Sequence, residues 1–169
     1  MLPKFMQERH IVLKIVYTEI CDQSLDAVFG EKITNHAGLQ LRWIKDDFQN
    51  REIGSCDEYQ IVIAKVEAGQ RSQPHLHEVG ASSFLVLGKK VGLPYPMLKY
   101  YAKRFTEDFV WGPQNISDVR EGTLRDIFPY EVHSFRNGED TPAYLLIVAH
   151  PIIYIKEGME DIHLVEPIR

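Results

Sequence analysis

The chain is predicted to fold as an all-β barrel or sandwich, and three observations point there. Short runs rich in Val, Ile, Leu, Tyr and Phe recur along it, several of them alternate apolar and polar residues, and turn-forming residues separate them. Alternation at period two suits a strand with one wet face, because successive side chains leave opposite faces. Many short strands divided by turns favour a closed or two-layered β architecture over a parallel sheet wrapped in helices.

In chain order, residues 10–17 (His-Ile-Val-Leu-Lys-Ile-Val-Tyr) read as a strand that is apolar on both faces. Residues 22–29 read as one short helix, with Asp22 or Ser24 as N-cap and Gly30 closing it. Strands follow at 39–44, 59–66, 83–87, 98–105, 132–135 and 144–150, and Leu39-Gln-Leu-Arg-Trp43 alternates most cleanly. Turn signals fall between them at 67–69, 92–96, 111–113 and 137–138. About the first 50 residues therefore supply extra strands and the helix, packed on a β core.

The totals narrow the function. The 169 residues fit a single domain, 1–169, with no repeat or linker to divide it, and 44% hydrophobic residues suffice for a core. A formal net charge of −5 and a pI near 5.8 argue against nucleic acid or an anionic membrane as partner. The two cysteines, Cys21 and Cys56, make no metal-like spacing and no disulfide framework, which suits a reducing compartment. The first ten residues carry charges where a signal peptide needs its apolar stretch, and no apolar run reaches the roughly 20 residues of a membrane span. A cytoplasmic location is expected. The strand at 10–17, free to pair along its edge, suggests a homodimer.

The chemistry concentrates in Gly69-Gln-Arg-Ser-Gln-Pro-His75-Leu-His77-Glu-Val-Gly. On a strand, His75 and His77 share one face, and two neutral imidazoles on one face can clamp a metal ion. Taken alone, such a pair is more often two ordinary histidines. A third histidine, His133, ends a turn and opens a strand in Gly122-Thr-Leu-Arg-Asp-Ile-Phe-Pro-Tyr-Glu-Val-His133-Ser-Phe-Arg-Asn137.

These two stretches resemble the paired motifs of the cupin family. Gly69, His75 and His77 fall in register with the first motif; Gly122, His133 and Asn137 keep the end-to-end spacing of the second, with Pro129 one place late. The resemblance covers about 59–151. It implies a cupin-type double-stranded β-helix, or jelly roll, holding a divalent metal (Fe, Mn, Ni or Zn) on His75, His77 and His133. The implied ligand or substrate is a small organic molecule, and the implied chemistry a dioxygenase or isomerase. A non-catalytic sensing cupin and a metal-free epimerase-like cupin acting on a sugar are the alternatives; the latter would need an acid such as Tyr101, Tyr130 or Tyr144.

The departures from the pattern bear on chemistry. The family's glutamate ligand falls at Ser82, the closing glycine of the first motif is one place early at Gly88, and a glycine of the second is Tyr130. Without the carboxylate a divalent ion keeps its full charge and more open positions. Glu131, two residues before His133, is a substitute only if the strand begins early; Glu78 should face away from His77. Arg71 and Gln73 alternate toward the histidine face, but a solvated strand entry is the simpler account. Phe84, Tyr100, Tyr101, Phe105, Phe135 and Tyr144 read first as barrel core, with some able to line a pocket. His10, His36, His150 and His163 are isolated in sequence and read as surface or satisfied histidines. Cys21 and Cys56 lack basic neighbours, and Ser82 and Ser83 lack the glycines of a nucleophile turn.

Overall fold

The structure is a computed structural model that describes residues 4–45, 59–106, 110–150 and 161–165. The chain opens with α1 (Lys4–Ile20) and α2 (Leu25–Val28), then forms β1 (Phe29–His36), β2 (Leu39–Ile44) and β3 (Gln60–Val66). Next come β4 (His75–Leu76), β5 (Ser82–Val86), β6 (Met97–Arg104), β7 (Ile116–Arg120) and β8 (Leu124–Ile127). The last are β9 (Glu131–Arg136), β10 (Ala143–Ala149) and β11 (His163–Leu164).

Two antiparallel sheets face each other. The larger runs β1-β2-β3-β10-β5-β8 and the smaller β11-β4-β9-β6-β7. Their inner faces meet in one apolar core that includes Leu41, Val62, Ala64, Phe84, Val86, Leu98, Tyr100, Phe135, Leu145 and Ile147. This double-layered antiparallel β architecture matches the fold class expected from the sequence.

The larger sheet is apolar on its outer face too, because α1 covers it. Val12, Leu13, Val16 and Ile20 pack there on Ile61, Ile63, Leu85, Leu146 and Val148. That is why β3 and β10 read as nearly unbroken hydrophobic runs rather than alternating ones. Each of the four buried helix side chains stabilises by about 2 kcal/mol.

Residues 10–17 are therefore helix and not strand. Their β-branched content favours strand, but their apolar positions 12, 13, 16 and 20 recur with helical spacing, and burial of that face outweighs local preference. Ile11, which a two-faced strand would bury, is 49% exposed. The edge-pairing argument for a homodimer loses its strand. One edge of the larger sheet is instead β1, which exposes Glu31 and Lys32, charges of the kind that discourage edge-to-edge pairing.

The interface between α1 and the sheet also carries a buried polar knot. The fully buried Arg9 donates from Nε to Ser83 Oγ at 3.0 Å and from Nη1 to the His150 carbonyl at 3.3 Å. Ser83 donates in turn to the Asp126 carboxylate, which also takes a hydrogen bond from His10 Nε2 at 2.9 Å. These bonds fix one register of helix on sheet. They also place His10 and His150 in structural roles, His150 stacking on Tyr59 with ring centres 4.6 Å apart.

Candidate metal centre

Four histidine rings meet inside the barrel. His75 and His133 lie directly opposite each other on β4 and β9, with ring centres 4.1 Å apart. His77 follows just past β4, its ring 5.1 Å from that of His75 and 5.0 Å from that of His133. His36, at the end of β1, brings its ring to 5.0 Å from His75 and 5.5 Å from His77. All four are at most 5% exposed. The three histidines singled out in the sequence thus converge, and His36, taken there as isolated, joins them.

Local structure explains each position. The loop before β4 is tied to β9 by Ser72, whose Oγ accepts from the Phe135 N–H at 2.8 Å, while Ser134 Oγ donates to the Ser72 carbonyl. This sets His75 across from His133. Asn137 donates from Nδ2 to the Val66 and Thr141 carbonyls, so the motif asparagine anchors the end of β9 and is not a ligand. His36 precedes a tight turn in which Ala37 and Gly38 both have positive φ, 52° and 84°, as a two-residue hairpin loop requires. That turn is fastened to the His75 loop: the Ala37 carbonyl accepts from the Gln73 N–H at 2.8 Å and the Gly38 carbonyl from Gln70 Nε2 at 2.8 Å.

The rings are oriented as ligands are. His75 Nδ1 bonds the Gln73 carbonyl at 2.7 Å, His77 Nδ1 the Asp161 carbonyl at 2.5 Å, and His133 Nδ1 the Glu131 carbonyl at 2.9 Å. A carbonyl only accepts, so each Nδ1 carries the proton and each Nε2 keeps its lone pair. An imidazole held by a backbone carbonyl through one nitrogen and free to coordinate through the other is the usual arrangement around a bound metal.

Burial keeps these rings neutral. It pushes His36 down to about 2, helped by His75 and His77, and His75 down to about 3, helped by His77. His77 is lowered by burial against the opposing pull of its bond to Asp161, and His133 is lowered well below the ordinary value by burial and the neighbouring rings. Neutral imidazole is the ligating form.

One ligand atom each from His36, His75 and His77 lie within 4.8 Å of one another. Nitrogens sharing one ion sit at most about 4.2 Å apart, twice an imidazole–metal bond, so a shift of about half an ångström closes this group on an ion. The donor set fits a divalent metal that accepts nitrogen, such as Zn, Cu, Fe or Ni.

The carboxylates stand apart from that cluster. Ser82 is fully buried and shares the inward face of β5 with Phe84 and Val86, so the position of the family glutamate points into the barrel without a charge. Glu131 lies on the inward face of β9 with His133, but its carboxylate accepts from the Tyr100 hydroxyl at 3.4 Å. Burial raises Glu131 above the ordinary carboxylate range, and burial next to that carboxylate raises Tyr100 well above its own. Arg71, Gln73 and Glu78 are exposed; Arg71 lies over the Tyr101 ring at 5.4 Å. Tyr130 is half exposed on the loop before β9. Cys56 lies outside the described residues.

Sequence reasoning missed Asp161. Its carboxylate accepts from the N–H groups of Glu78, Val79 and Gly80 at 2.8, 2.9 and 2.7 Å, while its carbonyl orients His77. Burial raises its pKa, but the three backbone donors outweigh that and hold it below the usual carboxylate range. β11 then pairs with β4, so residues 161–165 form a strap across the loop bearing His75 and His77. No local motif marks Asp161; its role exists only once the strap is in place.

No family model matches the chain, and no curated protein aligns with it. Solved structures do. A sugar phosphate isomerase of the cupin superfamily from Silicibacter pomeroyi aligns with 78% of this chain and 76% of its own, at 15% identity and a TM-score of 0.51.

The fold is the cupin double-stranded β-helix.

A predicted oxalate decarboxylase from Thermotoga maritima shares this cupin fold over 75% of this chain and 96% of its own, at 14% identity and TM-score 0.51. The capsular polysaccharide assembling protein CapF from Staphylococcus aureus shares it over 85% of this chain at 13% identity and TM-score 0.55, but only 34% of that longer protein is covered. Identities this low establish the cupin fold and nothing finer. A separate cleft of about 550 Å³, lined by Cys21, Ser24, Phe29, Leu93 and Tyr144, opens beside α2 and includes none of the four histidines.

Proposed function

We propose that this chain is a metal-dependent isomerase acting on a small hydroxy-carbonyl compound of the sugar class, with the metal held by His75, His77 and His133. The observation that carries the reading is the set of three buried rings, each fixed through Nδ1 to a backbone carbonyl, with ring centres 4.1 to 5.1 Å apart. When bound, a divalent ion supplies Lewis acidity toward substrate oxygens. Proton movement then falls to Glu131, which shares the inward face of β9 with His133. Its raised pKa brings it nearer neutrality, where a carboxylate works best as base and, once protonated, as acid. The Tyr100 hydroxyl, donating to the same carboxylate, holds it in place.

The sugar phosphate isomerase from Silicibacter pomeroyi, which shares the fold, supports this class. The test loads the chain with one divalent metal and follows sugar phosphates in deuterated water by proton NMR. Exchange at the carbon next to the carbonyl is expected, and Glu131→Gln should slow it by about 10²- to 10⁴-fold without loss of metal. Full exchange in Glu131→Gln would remove that residue from the chemistry. A dioxygenase is the second reading, favoured by a centre of neutral imidazoles with no carboxylate at Ser82, a donor set that suits iron. Oxygen uptake with substrate, and no deuterium exchange, would select it. Metal and ligand binding without either reaction would select a sensing role.

A further inference from the structure

We infer that His36 takes the place of the family's glutamate ligand, completing an all-imidazole centre of four neutral donors that favours nitrogen-binding metals and draws an anionic ligand. The inference rests on the metal reading of His75, His77 and His133. It stands on geometry: the His36 donor atom lies within 4.8 Å of those of His75 and His77. Its ring is buried, nearly perpendicular to His75 at 83° and close to parallel with His77 at 25°.

The position is built rather than incidental. His36 ends β1 directly before the tight turn whose two carbonyls are bonded to Gln73 and Gln70, on the same loop that carries His75. The hairpin tip and the ligand loop therefore move as one piece. Packing alone would fill this volume with an apolar side chain at lower cost, because a buried imidazole forfeits its hydration. Meanwhile the carboxylate expected at position 82 is missing, and Ser82 still faces inward there. One charged ligand has been lost and one neutral ligand gained.

Two consequences follow. Carboxylate ligands suit Mg, Ca and Mn, whereas imidazole suits Zn, Cu, Fe and Ni, so exchanging one for the other moves preference away from Mn. With no anionic protein ligand, the divalent charge remains to attract a carboxylate, an enolate or a phosphate oxygen.

The experiment uses Co²⁺ as probe, with equilibrium dialysis for affinity and visible absorption for coordination. Wild type should take one Co²⁺ per chain. His36→Ala should bind at least tenfold more weakly with an altered visible band, and free imidazole should restore the band by filling the space. His36→Phe keeps a flat ring but no donor, so it should fold, lose the same affinity and resist rescue. Adding Ser82→Glu to His36→Ala should recover affinity, and the double variant should shift preference from Zn²⁺ toward Mn²⁺. Unchanged affinity and band in either single variant would overturn the role of His36 while leaving the three-histidine centre standing. Wild type that takes up no Co²⁺ would overturn that centre and this inference together.

Discussion

Acidification should destabilise the metal-free protein, by an amount that follows from the buried histidines. In the unfolded chain each imidazole titrates near 6.5. In the folded barrel His36 and His75 are held down to about 2 and about 3. Between those values and 6.5 the unfolded state binds protons that the folded state refuses, so stability falls as pH drops through 6.5. At pH 5.5, one unit below the free value, each refused proton costs about 1.4 kcal/mol relative to neutral solution. His36 and His75 together cost about 3 kcal/mol, and His77 and His133, also lowered, add to it. Glu131 pulls the other way, because a raised carboxylate favours the folded state as pH falls; it is one group against four. Urea unfolding of chelator-treated protein at pH 7.5 and 5.5 measures the difference. The midpoint should fall at pH 5.5, and less so in His36→Phe, which lacks one refused proton. A midpoint that holds or rises would show that these rings are hydrated and protonated in the native barrel, and the dry four-histidine centre would be wrong.

Other perturbations address the supports around the site. Arg9→Ala should destabilise the chain by about 3 kcal/mol in chemical unfolding, because it removes the guanidinium from the buried α1 interface and leaves Asp126 with only its Ser83 and His10 donors. Tyr130 holds φ at +62° where the family places glycine; the ring is 50% exposed and loses little packing. Tyr130→Gly should therefore raise stability by about 1 kcal/mol, seen as a higher melting temperature. Asp161→Ala releases three amides behind His77, and metal affinity by equilibrium dialysis should fall about tenfold with little change in fold.

The sequence made the β core legible where period and punctuation agree. Leu39-Gln-Leu-Arg-Trp43 alternates and is β2; the runs behind β3, β5, β6, β9 and β10 lie within a residue or so of their strands. Residues 10–17 failed because β-branched side chains carry a local strand preference that says nothing about which face another element will cover. β1 failed for the opposite reason: as an edge strand with mostly exposed residues it has no apolar alternation to read. At the site the rings of His75, His77 and His133 come together; His75 and His77 were visible through their spacing and His133 through the resemblance to the second cupin motif. His36 was not, since it reaches them only through a hairpin that folds back from 39 residues earlier than His75. The one local hint was the Ala37-Gly38 pair behind it, a turn signal weaker than Asn-Gly.

The strap at residues 161–165 has a consequence for the order of events during synthesis. A ribosome makes the chain from its N-terminus, so the strands carrying all four histidines emerge before the residue whose carbonyl orients His77. Until Asp161 arrives, the turn at 78–80 lacks its clamp and His77 can rotate away. On the proposed metal reading, an ion would meet a half-assembled cage early and reversibly, and the strap would lock it late. The same order makes residues 161–165 the part whose pairing with β4 completes the support behind His77.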